Sequence, residues 1–300
     1  DATRAYNPRS TLLAVARVGG MSFTALNTGG SLLPGQGGVM RLDGGYEPLR
    51  RTPFIRIGSS QLNESGSSRA AQFMLLEQAF AEAKLPVAGD PRLLTAAGRN
   101  ALNAAALGKR FLVTVNREAD IRQALKLSSK TGIRIAIVGG AEAWRLSDEL
   151  AAAKVPVFLD AMDNLPGSFE QIGASEENAV RLHRAGVSVS FINGNDSSHN
   201  ARKVRQIAGV AVANGLPWEA GLAGITSAPA KALGVDSKIG SIEVGKTADL
   251  VLWTGDPLDV ASTASVMWLA GKNTPLVSRQ TLLRDRYLAP EGPLPRAYKP

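Results

Sequence analysis

RFLVTVNREADIRQALKLSSKTGIRIAIV, residues 110–138, decides the fold class. Arg110–Asn116 (RFLVTVN) is a β-branched run that reads as a strand, Glu118–Lys130 reads as an amphipathic helix, and Ile133–Val138 (IRIAIV) returns to a strand. Strand, helix and strand at this spacing are the pattern of a βαβ unit on a parallel sheet. The alternation continues outward. Ala141–Ala153 reads as a helix, and Val155–Leu159 (VPVFL) as a strand leading through a long loop to a helix at Glu176–Ala185. Val187–Ile192 (VSVSFI) precedes a helix from about Asn200 to Ala213, which completes four consecutive units.

Upstream, Ser10–Val18 reads as a helix and Ser22–Leu26 as a strand. Thr28–Gly38 (TGGSLLPGQGG) reads as a loop, because glycine at this density weakens any regular element. Val39–Leu42 and Phe54–Ile57 are short strand candidates, and Ser59–Ser68 is expected to be a mobile surface loop. Helices are expected at Ala70–Ala83 and between Arg92 and Leu107. Downstream, Trp218–Ala223 and Thr226–Leu233 read as short helices, and Ile239–Trp253 and Val266–Leu269 as strands joined by Gly and Asp-Pro turns. The expected division is an α/β barrel over residues 1–234 and a β unit with a tail over residues 235–300.

Composition bounds the function classes. The 300 residues, 44% hydrophobic and 20% charged, have a globular balance and no apolar run of membrane-spanning length. Zero cysteines exclude disulfides, thiolate metal ligands and a cysteine nucleophile. The net charge of +8 comes from dispersed Lys and Arg with no basic run interleaved with aromatics, so nucleic acid is not an expected partner. The chain starts at Asp1, from which an upstream segment is expected.

Ile225–Pro257, ITSAPAKALGVDSKIGSIEVGKTADLVLWTGDP, resembles the C-terminal signature of the amidohydrolase superfamily, a T-x-N-P-A-x-x-L-G helix followed by G-S-I-x-x-G-K-x-A-D-L-V-x-W-x-G-D-P. Phe111–Trp144, Val155–Ala213 and Ala25–Gly38 are similar to the imidazolonepropionase-related branch of that superfamily. The resemblance implies a (β/α)8 TIM-type barrel with a small composite β-sandwich built from both ends of the chain. Tyr6–Val18 resembles the segment that follows the family's first strand, so that strand is expected to precede Asp1. The signature itself is structural: glycines for turns, a proline for a helix start, and alternating residues on a strand.

The family resemblance also implies a site. Its members hydrolyse C–N or related bonds with zinc or another divalent metal at the carboxyl ends of the barrel strands, where an Asp on the eighth strand relays a proton. The family's fifth-strand histidine falls on Thr114, within Val113–Arg117, and its sixth-strand histidine falls on Gly139. Neither residue can give an imidazole to a metal, so no metal ligand is assigned. The eighth-strand Asp falls near Asp196, for which two readings stand: proton relay, or cap of the following helix. His199 is the second catalytic candidate, if it faces the barrel mouth, with a solvated loop histidine as the other reading, and His183 is expected on a helix surface.

Asn116 and Arg117, at a strand end, are candidates for binding an acidic or amide substrate, equally readable as a polar network closing the barrel. Gln36, in the glycine-rich segment, is read as a substrate-side residue. Asp160, Asp163 and Asn164 form a weak cation candidate, and Glu64 a weak fourth-strand surrogate. The resulting expectation is an amidohydrolase-type protein with a degenerate metal site. The alternative is a catalytically inactive paralogue that binds a ligand or assembles with an active partner. A small-molecule ligand, no membrane and either a homo-oligomer or a paralogue complex are the expected partner relations; by family analogy the periplasm is favoured over the cytoplasm.

Overall fold

The computed structural model describes residues 1–27, 29–85, 93–194 and 198–288. In chain order the elements are α1 (Thr11–Val18), β1 (Phe23–Leu26), β2 (Gly35–Arg41), β3 (Arg50–Arg56), α2 (Arg69–Ala83), α3 (Ala96–Ala106), β4 (Arg110–Val115) and α4 (Glu118–Thr131). They continue with β5 (Arg134–Gly139), α5 (Ser147–Ala152), β6 (Val157–Leu159), α6 (Asn178–Arg184), β7 (Val189–Phe191), α7 (Val204–Ala213), α8 (Trp218–Ala223) and α9 (Ser227–Leu233). The chain closes with β8 (Leu250–Trp253), β9 (Ala264–Leu269), β10 (Lys272–Asn273) and α10 (Arg279–Leu288). Three of the helices start where a hydroxyl can cap them: Ser10, Ser68 and Thr95 accept from the N–H of Leu12, Ala71 and Gly98.

The first seven strands form one curled sheet in sequence order, β1 to β7. β1–β2 and β2–β3 pair antiparallel, whereas β3 through β7 run parallel, with helices in the connections. This is the α/β half-barrel that the βα alternation implies. A second, antiparallel sheet is ordered β10-β9-β8. No helix among the described residues is long and apolar enough to cross a membrane.

Both faces of the parallel sheet are covered, which is why its strands read as apolar runs rather than strict alternations. Ile55, Ile57, Val113, Val115, Ile135, Ile137, Val157 and Leu159 point to the convex side, against Leu76 and Phe80 of α2, Ile121 and Leu127 of α4, and Leu150 of α5. The residues between them, Phe54, Leu112, Ala136 and Phe158, point to the concave side and pack with Ala230, Leu233, Val235 and Ile239. Adjacent strands are in a register that joins Arg56, Thr114, Val138, Phe158 and Ser190 into one layer of that concave face. This layer is the floor of the site.

Four expectations change. Gly35–Gly38 is the first half of β2, not a loop. Ser59–Ser68 is not simply a surface loop: it folds as two short 3-10 turns, with Gln61 and Ser65 buried. Of the strand expected over Ile239–Trp253 only Leu250–Trp253 forms; Gly240, at φ +99°, turns the chain away, and a Cβ there would lie 2.5 Å from Ala230 Cβ. The tail contains α10, which has no buried residue.

Candidate functional site

The carboxyl ends of β3 to β7 open into a cavity of about 1650 Å3, bounded on its far side by α1, β1 and residues around β8. Arg56, Thr114, Asn116, Val138, Gly139, Phe158 and Asp160 line it from the sheet. Strand alternation puts most of them there: Arg56, Thr114, Asn116, Val138, Phe158 and Asp160 each lie in phase with the concave core positions of their strands, and Gly139 is the end of β5, where the backbone turns.

Asp160 is 8% exposed and ties two loops together, its Oδ1 accepting from Met162 N at 3.0 Å and its Oδ2 from Gly194 N at 2.9 Å. Asn116 accepts weakly from Ala141 N through Oδ1, at 3.4 Å, while its carbonyl accepts from Glu142 N at 3.0 Å. The same Oδ1 occupies the space next to Gly139, where an added Cβ would lie only 2.4 Å from it. Gly139 also holds φ at +92°, which L side chains rarely adopt. Thr114 Oγ1 is buried without a hydrogen-bond partner.

Loops at the mouth are clamped by acids. Glu142 accepts from Glu118 N through Oε2 and from Gly173 N through Oε1, each at 2.8 Å. Trp144 Nε1 donates to Gly173 O at 2.8 Å, and the guanidinium carbons of Arg145 and Arg181 lie 4.9 and 4.4 Å from its ring centre. Arg69, at the start of α2, bridges Asp120 on α4 and Glu170 in the loop after β6. Burial raises the Asp120 pKa, and the Glu170 charge adds to that, against the lowering effects of Arg69 and Arg117.

Gln72, also on α2 and fully buried, holds the end of β3. Its Oε1 accepts from Gly58 N and its Nε2 donates to Gly58 O, both at 3.0 Å. Gln72→Leu would leave two buried backbone groups unsatisfied. The expected loss is about 2–4 kcal/mol, read by urea denaturation. A loss below about 0.5 kcal/mol would mean that the strand end is held by other contacts.

Of the residues singled out in the sequence, the structure brings Thr114, Asn116, Gly139, Asp160 and Asp163 to the cavity. Arg117 instead precedes α4 and acts electrostatically on Asp120. Gln36 lies on β2 and accepts from Lys109 Nζ, before the amino end of β4. His199 is exposed in a 3-10 turn, His183 is exposed on α6, and Asn164 is half-buried outside the cavity lining. The Glu64 backbone lies in the turn Asn63–Ser65, and Asp196 lies outside the described residues. Among the described residues, no three His, Asp or Glu side chains gather as a metal-holding group.

Arg56 was missed by the motif reading. Its signal was present in Phe54–Ile57 (FIRI), where period-two alternation puts the arginine on the same face as Phe54.

Residues 164–277 match the model of the amidohydrolase family. A stretch of 146 residues, 47% of this chain, is 32% identical to amidohydrolase tasK of Hapsidospora irregularis; the chain spans 15% of that relative's length. The crystal structure of an amidohydrolase from Thermotoga maritima MSB8 superposes with a TM-score of 0.81 at 23% identity, over 93% of this chain and 77% of that one. The chain is thus similar to the amidohydrolase family in sequence over residues 164–277, and in fold to the Thermotoga maritima amidohydrolase.

Proposed function

We propose that this chain is an amidohydrolase-type protein, related to hydrolases of non-peptide C–N or dipeptide-like bonds, that binds a small molecule in the concave cavity and whose metal centre is degenerate. The observation that carries the reading is the pair of strand ends at Thr114 and Gly139. They stand where the family resemblance places two histidines, and the Asn116 carboxamide fills the room that a side chain at position 139 would need. The residues present therefore do not fit the divalent metal that the family uses. Asp160, the buried carboxylate at the same strand ends, has each oxygen engaged by a backbone N–H. The match over residues 164–277 supports the hydrolase relationship, and the strand-end chemistry supports binding without metal-dependent turnover.

The test combines metal analysis of protein purified without chelator with hydrolysis of a panel of N-acyl amino acids and dipeptides. Metal well below one equivalent per chain, and no turnover above a chelator-treated control, are expected. Stoichiometric zinc or manganese accompanied by turnover would overturn the degenerate-site reading and leave an active C–N hydrolase.

A further inference from the structure

We infer that the concave face carries an anion subsite, formed by the Arg56 guanidinium and the Thr114 hydroxyl, that takes the carboxylate of a small-molecule ligand. The inference deepens the proposed reading, on which it rests for the cavity being a ligand site, by naming the ligand's chemical class.

Arg56 ends β3 and lines the cavity, half-buried, with its Nε shielded from solvent and without a hydrogen-bond partner. Its Cα partner across the parallel pair is Thr114, whose Oγ1 is likewise buried and unpartnered. Two orphaned polar groups thus face the same side of the sheet on adjacent strands. A buried donor left unmade costs about 1–3 kcal/mol, so two at one place mark a position where an acceptor from outside the chain is favoured.

The surroundings favour a negative charge. Arg41 is ion-paired with Asp43 and Asp249, Arg51 with Asp1, and Arg69 with Asp120 and Glu170. Arg56 forms no ion pair among the described residues. Asp160, a strand-end acid of the cavity lining, already accepts two backbone N–H groups. A guanidinium presents its Nε edge as a planar fork that matches the two oxygens of a carboxylate. The apolar floor beside it, Phe54, Val138 and Phe158, suits a carbon body attached to that carboxylate rather than an isolated inorganic anion.

The test is calorimetric titration of chelator-treated protein with N-acetylglycine, with its neutral amide and with inorganic phosphate. One N-acetylglycine is expected to bind per chain, at least tenfold more tightly than the amide or phosphate. Arg56→Met and Arg56→Lys are each expected to weaken it at least tenfold, the lysine because it keeps the charge but loses the fork. Thr114→Val is expected to weaken it about threefold while leaving the urea midpoint unchanged or raised, since it removes a buried orphan hydroxyl. A structural role for Thr114 would lower the midpoint instead. No binding of N-acetylglycine, equal binding by both Arg56 variants and the parent, or tighter binding of phosphate would overturn the assignment. If Arg56→Met does not fold, Arg56→Lys and Thr114→Val decide. The outcome is separable from that of the metal and turnover test, because binding is read in chelated protein: turnover with metal does not rescue an Arg56-independent site, and an Arg56-dependent site does not require an inert enzyme.

Discussion

Arg69→Met is expected to lose about 3–5 kcal/mol of stability near pH 7, the range for removing one partner of a buried ion pair. Asp120 is 4% exposed and Glu170 is the other carboxylate on the same guanidinium, so the variant would leave a buried and a half-buried carboxylate side by side with Arg117 as the remaining opposing charge on Asp120. The pH dependence identifies the cause. Burial already holds the Asp120 pKa above the ordinary carboxylate value, and Arg69 is one of the groups opposing that rise. Without Arg69 the folded-state pKa rises further. An acid with a raised folded pKa binds more protons folded than unfolded between its two pKa values. Its penalty is therefore absent below the unfolded pKa and complete above the folded one. The deficit of the variant against the parent should shrink as the pH falls from 7 towards about 4, although both proteins lose stability from other carboxylates over that range. A deficit that stays constant in paired urea titrations would show that Asp120 is not its seat. Because Arg69 also draws in Glu170, which accepts from Ser59 N at 3.3 Å, proteolysis of the loop after β6 should accelerate together with the stability loss.

How far the molecule could be read from its sequence depends on where the determining contacts lie. The parallel strands β4 to β7 and their helices follow from local patterning, because each strand is buried on both faces and each helix on one. The strand ends Thr114, Asn116 and Gly139 could be placed because they terminate such runs. Arg117 and Gln36 could not be separated from them by spacing alone. A residue at a strand end turns into the cavity or back over the helix layer according to one step of alternation, and Arg117 falls on the helix side, beside Asp120. Gln36 sits opposite Pro53, in the middle of β3, and its side chain engages Lys109, a placement set by the antiparallel β2–β3 pairing, which no local pattern specifies. Arg56 was legible only as an alternation within four residues; its significance depends on the absence of a partner, which is a tertiary fact.

Gly37→Ala is the sharpest test of the segment that the sequence misrepresents. Glycine density argues for a loop on entropy grounds, yet Gly35–Arg41 is a strand paired on both edges, with Gly38 opposite Leu26 on one side and Arg51 on the other. Close approach resolves the conflict. A Cβ at position 37 would lie 1.9 Å from Leu26 O and 2.8 Å from the Phe54 ring. The first of these is backbone and cannot rotate away, so the end of β1 would have to leave β2 or β2 would have to shift on β3. The expected cost is about 3 kcal/mol, at the upper end for overpacking because a backbone atom blocks relaxation. Gly29→Ala is the control: nothing lies within 4 Å of its Cβ position, so its effect should be within about 0.5 kcal/mol. Equal effects at the two positions would mean that the β1–β2 contact does not set the cost. A large loss confined to Gly37, with faster amide exchange along Phe23–Leu26, would establish that the glycines permit strand pairing here and would place the wall of the cavity formed by β1 under their control.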